Sequence, residues 1–214
     1  MAIKTILFDL GGVLININFL NFNNLLFNST NSKKDQKILN QQYMEVFRAY
    51  HQGTISDEMF YNETCNIFKI EKKILPQSSF FKVFNSIILN LNRDIYKILK
   101  NLRELKVYNL YCLSNINSSH LNQLKLRYWE IMEYFDELIF SNEVHLIKPD
   151  IELYKFIIQK TQCYPQEILL IDDEFKNIES AKKIGIQGIL YKNPDDLFKK
   201  LREFGIKIKE SCQI

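Results

Sequence analysis

Glycine is scarce in this chain, with six in 214 residues, beside four prolines, four cysteines and a single tryptophan. So little glycine and proline excludes collagen-like repeats and flexible low-complexity linkers. The cysteines stand at Cys65, Cys112, Cys163 and Cys212, far apart and with no Cys-x-x-Cys pair. Zinc-knuckle and dithiol redox motifs are thereby excluded, and reduced thiols are the expectation. Net charge is +3 with both signs interspersed, so no basic stripe marks a nucleic-acid or anionic-membrane partner. No apolar run approaches the roughly 20 residues of a membrane span. The N-terminal apolar run is broken by Asp9 and followed by no small-residue cleavage site, which argues against a secretory signal and for a cytoplasmic protein. What remains is an ordinary globular composition, 46% hydrophobic and 25% charged, long enough for one generous domain or a core with an insertion.

Two of the rare glycines sit together, in Phe8-Asp9-Leu10-Gly11-Gly12-Val13-Leu14. The apolar run 3–8 before them reads as a buried strand ending at Asp9. Such strand ends are where open α/β sheets keep their ligand chemistry, and glycine lets the backbone turn and approach a ligand.

From residue 16 to 92 the pattern is helical. Tyr43, Val46, Phe47 and Tyr50 share one face, as do Phe60, Thr64, Ile67 and Phe68. Between them Gly53 closes one helix and Ser56 caps the next. The asparagine-rich stretch 21–31 reads as a helix end with a loop. After residue 92 helix and strand alternate: helix around 95–102, strand 107–113, helix 121–134, strand 135–140, helix 151–160 entered at Pro149, strand 167–171, helix 178–184 closed by Gly185, and strand 189–191. The Lys-rich segment 199–209 reads as a solvated helix or strand face. Alternation of this kind predicts a doubly wound, Rossmann-like parallel-sheet α/β core of residues 1–15 and 93–214, with 16–92 inserted as a helical bundle cap.

Four polar signals then fall at strand ends or their loops: Asp9, Ser114-Asn115, Lys148-Pro149 and Asp172-Asp173. A doubly wound sheet brings those loops to one crevice. Three carboxylates there repel one another unless they share a divalent cation. Asp9 can act as a carboxylate nucleophile on phosphorus. Ser114 and Asn115 can hydrogen-bond phosphoryl oxygens, and Lys148 supplies a compact positive charge. Charge neutralisation and positioning are most of what phosphoryl transfer needs.

The sequence resembles the haloacid dehalogenase superfamily over its whole length, with the four motifs standing as Phe8-Asp9-Leu10-Gly11-Gly12-Val13, Leu113-Ser114-Asn115, Ile147-Lys148-Pro149-Asp150 and Ile171-Asp172-Asp173 with Asn177. It is most similar to a clade containing a sugar-phosphate phosphatase acting on glucose 1-phosphate, and residues 53–60 of the insertion share that likeness. The resemblance implies a phosphatase of small phosphorylated metabolites, sugar phosphates first. It also implies Asp9 as nucleophile, Ser114 and Lys148 as phosphate binders, and Mg²⁺ between Asp9, the Gly11 carbonyl and Asp172. Asp173 would lie in the outer shell and Asn177 would orient the acidic loop. A monomer or homodimer is expected.

Departures from the pattern qualify the activity. Most phosphatases of the superfamily carry an acid–base aspartate two residues after the nucleophile, where this chain has Gly11. Acids found slightly later in the similar clade are here Asn16 and Asn18, which cannot shuttle a proton. His145 replaces a frequent glycine, and His51 near the cap turn reads as structural or substrate-facing. A slow phosphatase, or one restricted to good leaving groups, is the expectation. Three alternatives are weighed. A metal-free haloacid dehalogenase would leave Asp172 and Asp173 uncompensated. A non-catalytic binding protein on the same scaffold is compatible with Gly11. A receiver domain would need its acidic pair after the first strand, and here it follows a late one.

Overall fold

Strand residues alternate between two cores. In β1 (Thr5–Phe8), Ile6 and Phe8 join one hydrophobic cluster and Leu7 joins another on the opposite face. The same alternation runs through β4 (Asn109–Ser114) and β6 (Ile168–Asp172). Period-two burial on both faces is the signature of a sheet covered by helices on each side. With β5 (Glu137–Phe140) and β7 (Gln187–Leu190) these strands form one parallel sheet in the order β5-β4-β1-β6-β7. Helices α5 (Arg93–Leu105), α6 (Ser118–Met132) and α10 (Pro194–Glu203) contribute Leu99, Leu124 and Leu201 to the first cluster. On the other face α8 (Ile151–Thr161) and α9 (Phe175–Lys182) contribute Ile157 and Ile178. The α/β core expected from the alternating pattern is therefore present. This computed structural model describes residues 1–209, and Cys212 lies outside them.

Between β1 and α5 the chain makes four helices, α1 (Leu20–Ser29), α2 (Gln36–His51), α3 (Asp57–Phe68) and α4 (Gln77–Asn85). They enclose a third cluster built from aromatic rings, with Tyr50 stacked on Phe60 at 4.3 Å and Phe22 edge-on to Phe84 at 4.9 Å. Such pairs add to simple area burial. Ser56 caps α3 as expected, accepting from the Met59 amide at 3.2 Å. Gly53 has φ +68°, and a Cβ there would stand 2.2 Å from the Asn142 carbonyl oxygen. Only glycine lets this turn press against the short helix α7 (Ser141–Val144).

Three local readings differ from the structure. Residues 20–29 are a full helix, because Phe22 and Leu26 enter the aromatic cluster and outweigh the low helix propensity of asparagine. An antiparallel ribbon of β2 (Ile15–Ile17) and β3 (Ile88–Leu91) joins the helical segment to the sheet. Strands of three and four residues with polar positions at Asn16 and Asn90 leave no apolar run to read. Pro149 precedes the α8 N-cap, Asp150, instead of sitting in the first turn.

A buried polar seam holds the helical segment against the sheet domain. Asn117 Nδ2 donates to His51 Nε2 and His120 Nδ1, each at 3.2 Å. The remaining ring nitrogens donate to the carbonyls of Phe47 (2.9 Å) and Phe84 (3.1 Å). Burial pushes His51 down to about 4 and His120 down to about 3, so both are neutral in the fold. Unfolded, they take up protons below about pH 6.5. Their contribution is thus present above that pH and is lost as pH falls toward 4 and 3. Melting temperature is expected to drop between pH 6.5 and 4, with a shallower slope in His120→Gln. An equal slope in that variant would assign the acid sensitivity to other groups.

Candidate active site

Strands β4, β1 and β6 are neighbours, so their carboxyl ends deliver Ser114, Asp9 and Asp172 to one place. Asp9 lies one residue beyond β1, and its amide still donates to Ile171 O at 3.0 Å, which continues the ladder to the site's edge. The Leu10 amide donates to Asp9 Oδ1 at 2.7 Å. Lys148 arrives from the loop after α7, and its backbone is clamped by Asn115. The amide Nδ2 donates to Lys148 O and Oδ1 accepts from Lys148 N, both at 2.9 Å. Asp172 is oriented through Oδ1, which accepts from Asn177 Nδ2 at 2.8 Å and from the Glu174 amide at 2.9 Å. Asn177 is itself steadied by Tyr154, whose hydroxyl donates to its carbonyl at 3.0 Å.

The lysine is the hinge of the electrostatics. Its Nζ stands 2.9 Å from Asp9 Oδ1 and 2.6 Å from Asp172 Oδ2, with all three side chains nearly or fully buried. Burial favours the neutral amine, but Asp9 and Asp172 outweigh it and hold the ammonium well above the usual lysine range. One cation cannot satisfy this cluster. Burial pushes the Asp9 carboxyl up to about 8, with Lys148 opposing and Asp172 adding to the rise. Asp173 is raised too, by burial and then by Asp172. Oxygen atoms of Asp9, Asp172 and Asp173 lie within 4.8 Å of one another. Hard carboxylate oxygens gathered this closely, and short of positive charge, suit Mg²⁺.

Gly12 adopts φ +80°, and a Cβ on it would meet Asp173 Oδ2 at 2.1 Å. Gly12→Ala is therefore expected to push Asp173 aside and raise the Mg²⁺ concentration for half-maximal effect about tenfold, a cost of ~1.4 kcal/mol. Titrating Mg²⁺ against melting temperature reads this directly, and an unchanged midpoint would remove Asp173 from the metal's surroundings. Gly11 differs, because a Cβ there would find only Ile17, at 3.5 Å. An apolar side chain thus lies against the position where the family resemblance leads one to expect an acid.

Most of the residues of the four sequence motifs come together here. Asp9, Gly11, Asn115, Lys148 and Asp173 line one cleft of about 510 Å³, with Asp172 beneath them and Ser114 lining an adjoining cavity. Asn115 and Asn177 hold other site residues in place through their side chains. His51 reaches the cleft wall, yet both ring nitrogens are occupied in the buried seam. His145 sits outside the cleft lining at φ +58°, a left-handed position that accounts for glycine as an alternative there. Sequence reasoning missed the opposite wall, Gln41, Met44, Phe47 and Arg48 of α2 with Ile17 and Phe19. The signal was a second face on α2, beside the one that packs the aromatic core.

A family model described as haloacid dehalogenase-like hydrolase matches residues 6–191. The chain is 26% identical to a sesquiterpene phosphatase of Aspergillus oryzae, over 87% of its own length and 88% of the relative's. It is 24% identical to a D-ribitol-5-phosphate phosphatase of Bacteroides thetaiotaomicron, over 91% and 94%. A drimenol cyclase of Aspergillus calidoustus also matches at 22% identity, and there the chain spans 36% of the relative's length. Among solved structures, a haloacid dehalogenase family enzyme from Bacteroides thetaiotaomicron in complex with magnesium and inorganic phosphate superposes with a TM-score of 0.72. It shares 24% identity and aligns over 89% of this chain and 95% of that one, which establishes likeness of fold.

Proposed function

Since the chain belongs to the haloacid dehalogenase-like hydrolases, we propose that it is a Mg²⁺-dependent phosphomonoester hydrolase acting on a small phosphorylated metabolite through an aspartyl-phosphate. The observation that carries the reading is the buried Lys148 ammonium shared between Asp9 and Asp172, with Asp173 beside them. Named phosphatases among the relatives support it.

In this reading Asp9 attacks phosphorus, forming a bond from its carboxylate oxygen as the bond to the leaving oxygen breaks. Water then attacks the acyl phosphate, releasing inorganic phosphate and restoring the carboxylate. Lys148 and Ser114 hold phosphoryl oxygens, and Asn115 fixes the lysine's backbone. Asp9, Asp172, Asp173 and the Gly11 carbonyl would hold Mg²⁺, which when bound neutralises phosphate charge and lowers the cost of ionising Asp9. Residues 16–92 serve as a cap that closes the cleft. With Ile17 over Gly11, no carboxylic acid protonates the leaving oxygen from that position. General acid help is typically worth about 10²–10⁴-fold, so turnover is slow on alkoxide leaving groups and faster on acidic ones. The same covering of Gly11 favours, as the second reading, a scaffold that binds phosphate with little turnover.

Phosphate release from a panel of phosphorylated sugars, nucleotides and aryl phosphates, with Mg²⁺ and with EDTA, tests the proposal. Release that EDTA abolishes is the expected result. Saturable Mg²⁺ binding with no release from any ester would favour the binding scaffold instead.

A further inference from the structure

The cleft walls restrict which alcohol can leave. Among the described residues lining it, three are cations, and each already has a carboxylate partner. Lys148 is held by Asp9 and Asp172, Lys176 Nζ lies 2.7 Å from Glu174, and Arg48 pairs with Asp150. His51 is buried and neutral in the polar seam. A second phosphate or a carboxylate on the substrate would have to compete with Glu174 or Asp150 for Lys176 or Arg48, and would face Glu45 and Glu174 on the same walls.

What the cap side offers is carbon. Ile17, Phe19, Met44 and Phe47 line the cleft opposite the carboxylates. Ile17 and Met44 are 36% and 48% exposed, so they leave apolar surface facing the cleft that a ligand would remove from water. Methionine adapts to varied apolar shapes. A smaller cavity of about 80 Å³ adjoins the cleft, sharing Gly11, Ile17, Phe19, His51 and Asn115, and continues between Ile87, Ile88 and Leu124. On α2, Gln41, Glu45 and Arg48 add polar groups to the cleft lining, beside the charged and amide side chains around Asp9. Hydroxyls laid against Ile17, Phe19, Met44 and Phe47 would find no hydrogen-bond partner on those side chains, a cost that an apolar group avoids.

Resting on the phosphatase reading above, we propose that the substrate is the phosphomonoester of an uncharged alcohol with a bulky apolar body, which lies against Ile17, Phe19, Met44 and Phe47. This proposal differs from the sugar phosphate expected from sequence resemblance.

Phenyl and 2-naphthyl phosphate test it, since their leaving groups are of similar acidity and differ in apolar area. With Mg²⁺ present, kcat/KM for the naphthyl ester is expected to exceed that for the phenyl ester about tenfold, as burying one more ring implies. Both are expected to exceed glucose 1-phosphate and ribitol 5-phosphate. Ile17→Asn and Met44→Gln, each made at a partly exposed position, should bring the naphthyl-to-phenyl ratio to within about twofold of unity. Met59→Gln, on an exposed part of α3 outside the cleft lining, should leave it unchanged. A wild-type ratio near unity, faster release from the sugar phosphates, or a ratio untouched by both cleft variants would overturn the inference and leave the phosphatase intact. Failure to release phosphate from every ester would sink the phosphatase reading itself.

Discussion

Asp9→Asn is expected to lose at least about 10⁴-fold in phosphate release while becoming more heat-stable than the wild-type protein in the absence of metal. The two effects share a cause. Asp9 is buried among Asp172, Asp173 and a single Lys148, so its ionised form is the species that attacks and also the species the fold holds poorly. Its carboxyl is raised from about 3.8 to about 8. In the folded state it keeps a proton that the unfolded chain gives up near pH 4. Stability of the metal-free protein therefore falls as pH rises from 4 and levels off above 8. The amide removes that loss, and Lys148 retains Asp172 as its partner. A gain of ~2 kcal/mol at pH 8, or a melting temperature about 5 °C higher, is the expected size. Mg²⁺ should reverse the order by stabilising the wild type and not the variant. Melting both proteins with Mg²⁺ and with EDTA provides the check. A variant that melts below wild type in EDTA would show that Asp9 is a net structural asset, contrary to this account.

Much of this site was legible because it depends on order along the chain. An aspartate after the first strand, a Ser-Asn at the next core strand, a Lys-Pro before a helix and an Asp pair after a late strand need only a parallel sheet to meet. The sheet was readable in turn from apolar runs at β1, β4 and β6, whose residues are buried on both faces. Features that depend on contacts across the chain were not. Helix α1 forms through Phe22 and Leu26 despite its asparagines, and the β2–β3 ribbon pairs Ile15 with Leu91 across 76 residues of chain (91 − 15). The α2 face toward the cleft was hidden for a related reason. Phe47 touches both the aromatic core and the cleft, so helical spacing alone cannot divide α2 into a packing face and a substrate face. His51 shows the same limit, since the Asn117 side chain that partners its ring lies 66 residues away.

Lys148→Met is the substitution expected to cost the fold most. The lysine side chain is 1% exposed and lies 2.9 Å from Asp9 and 2.6 Å from Asp172. An apolar replacement fits the volume but leaves two buried carboxylates facing each other. Removing one partner from a buried ionic group typically costs about 3–5 kcal/mol, far more than a surface ion pair is worth. For a chain of this length that corresponds to a melting temperature roughly 10 °C lower. Asp9 already titrates high with the lysine in place, so without it that carboxyl holds its proton more tightly still. The loss should consequently be largest at pH 8 and smallest near pH 5, where Asp9 is protonated. Mg²⁺ should restore part of the stability because it supplies the missing charge. It should not restore turnover, since Lys148 is proposed to hold the phosphoryl oxygens. Combining Lys148→Met with Asp9→Asn should recover most of the stability lost, a coupling that a double-mutant cycle measures. If Lys148→Met instead melts like the wild type at pH 8, the carboxylates are compensated by some other group. In that case the electrostatic argument for a divalent cation at this site fails with it.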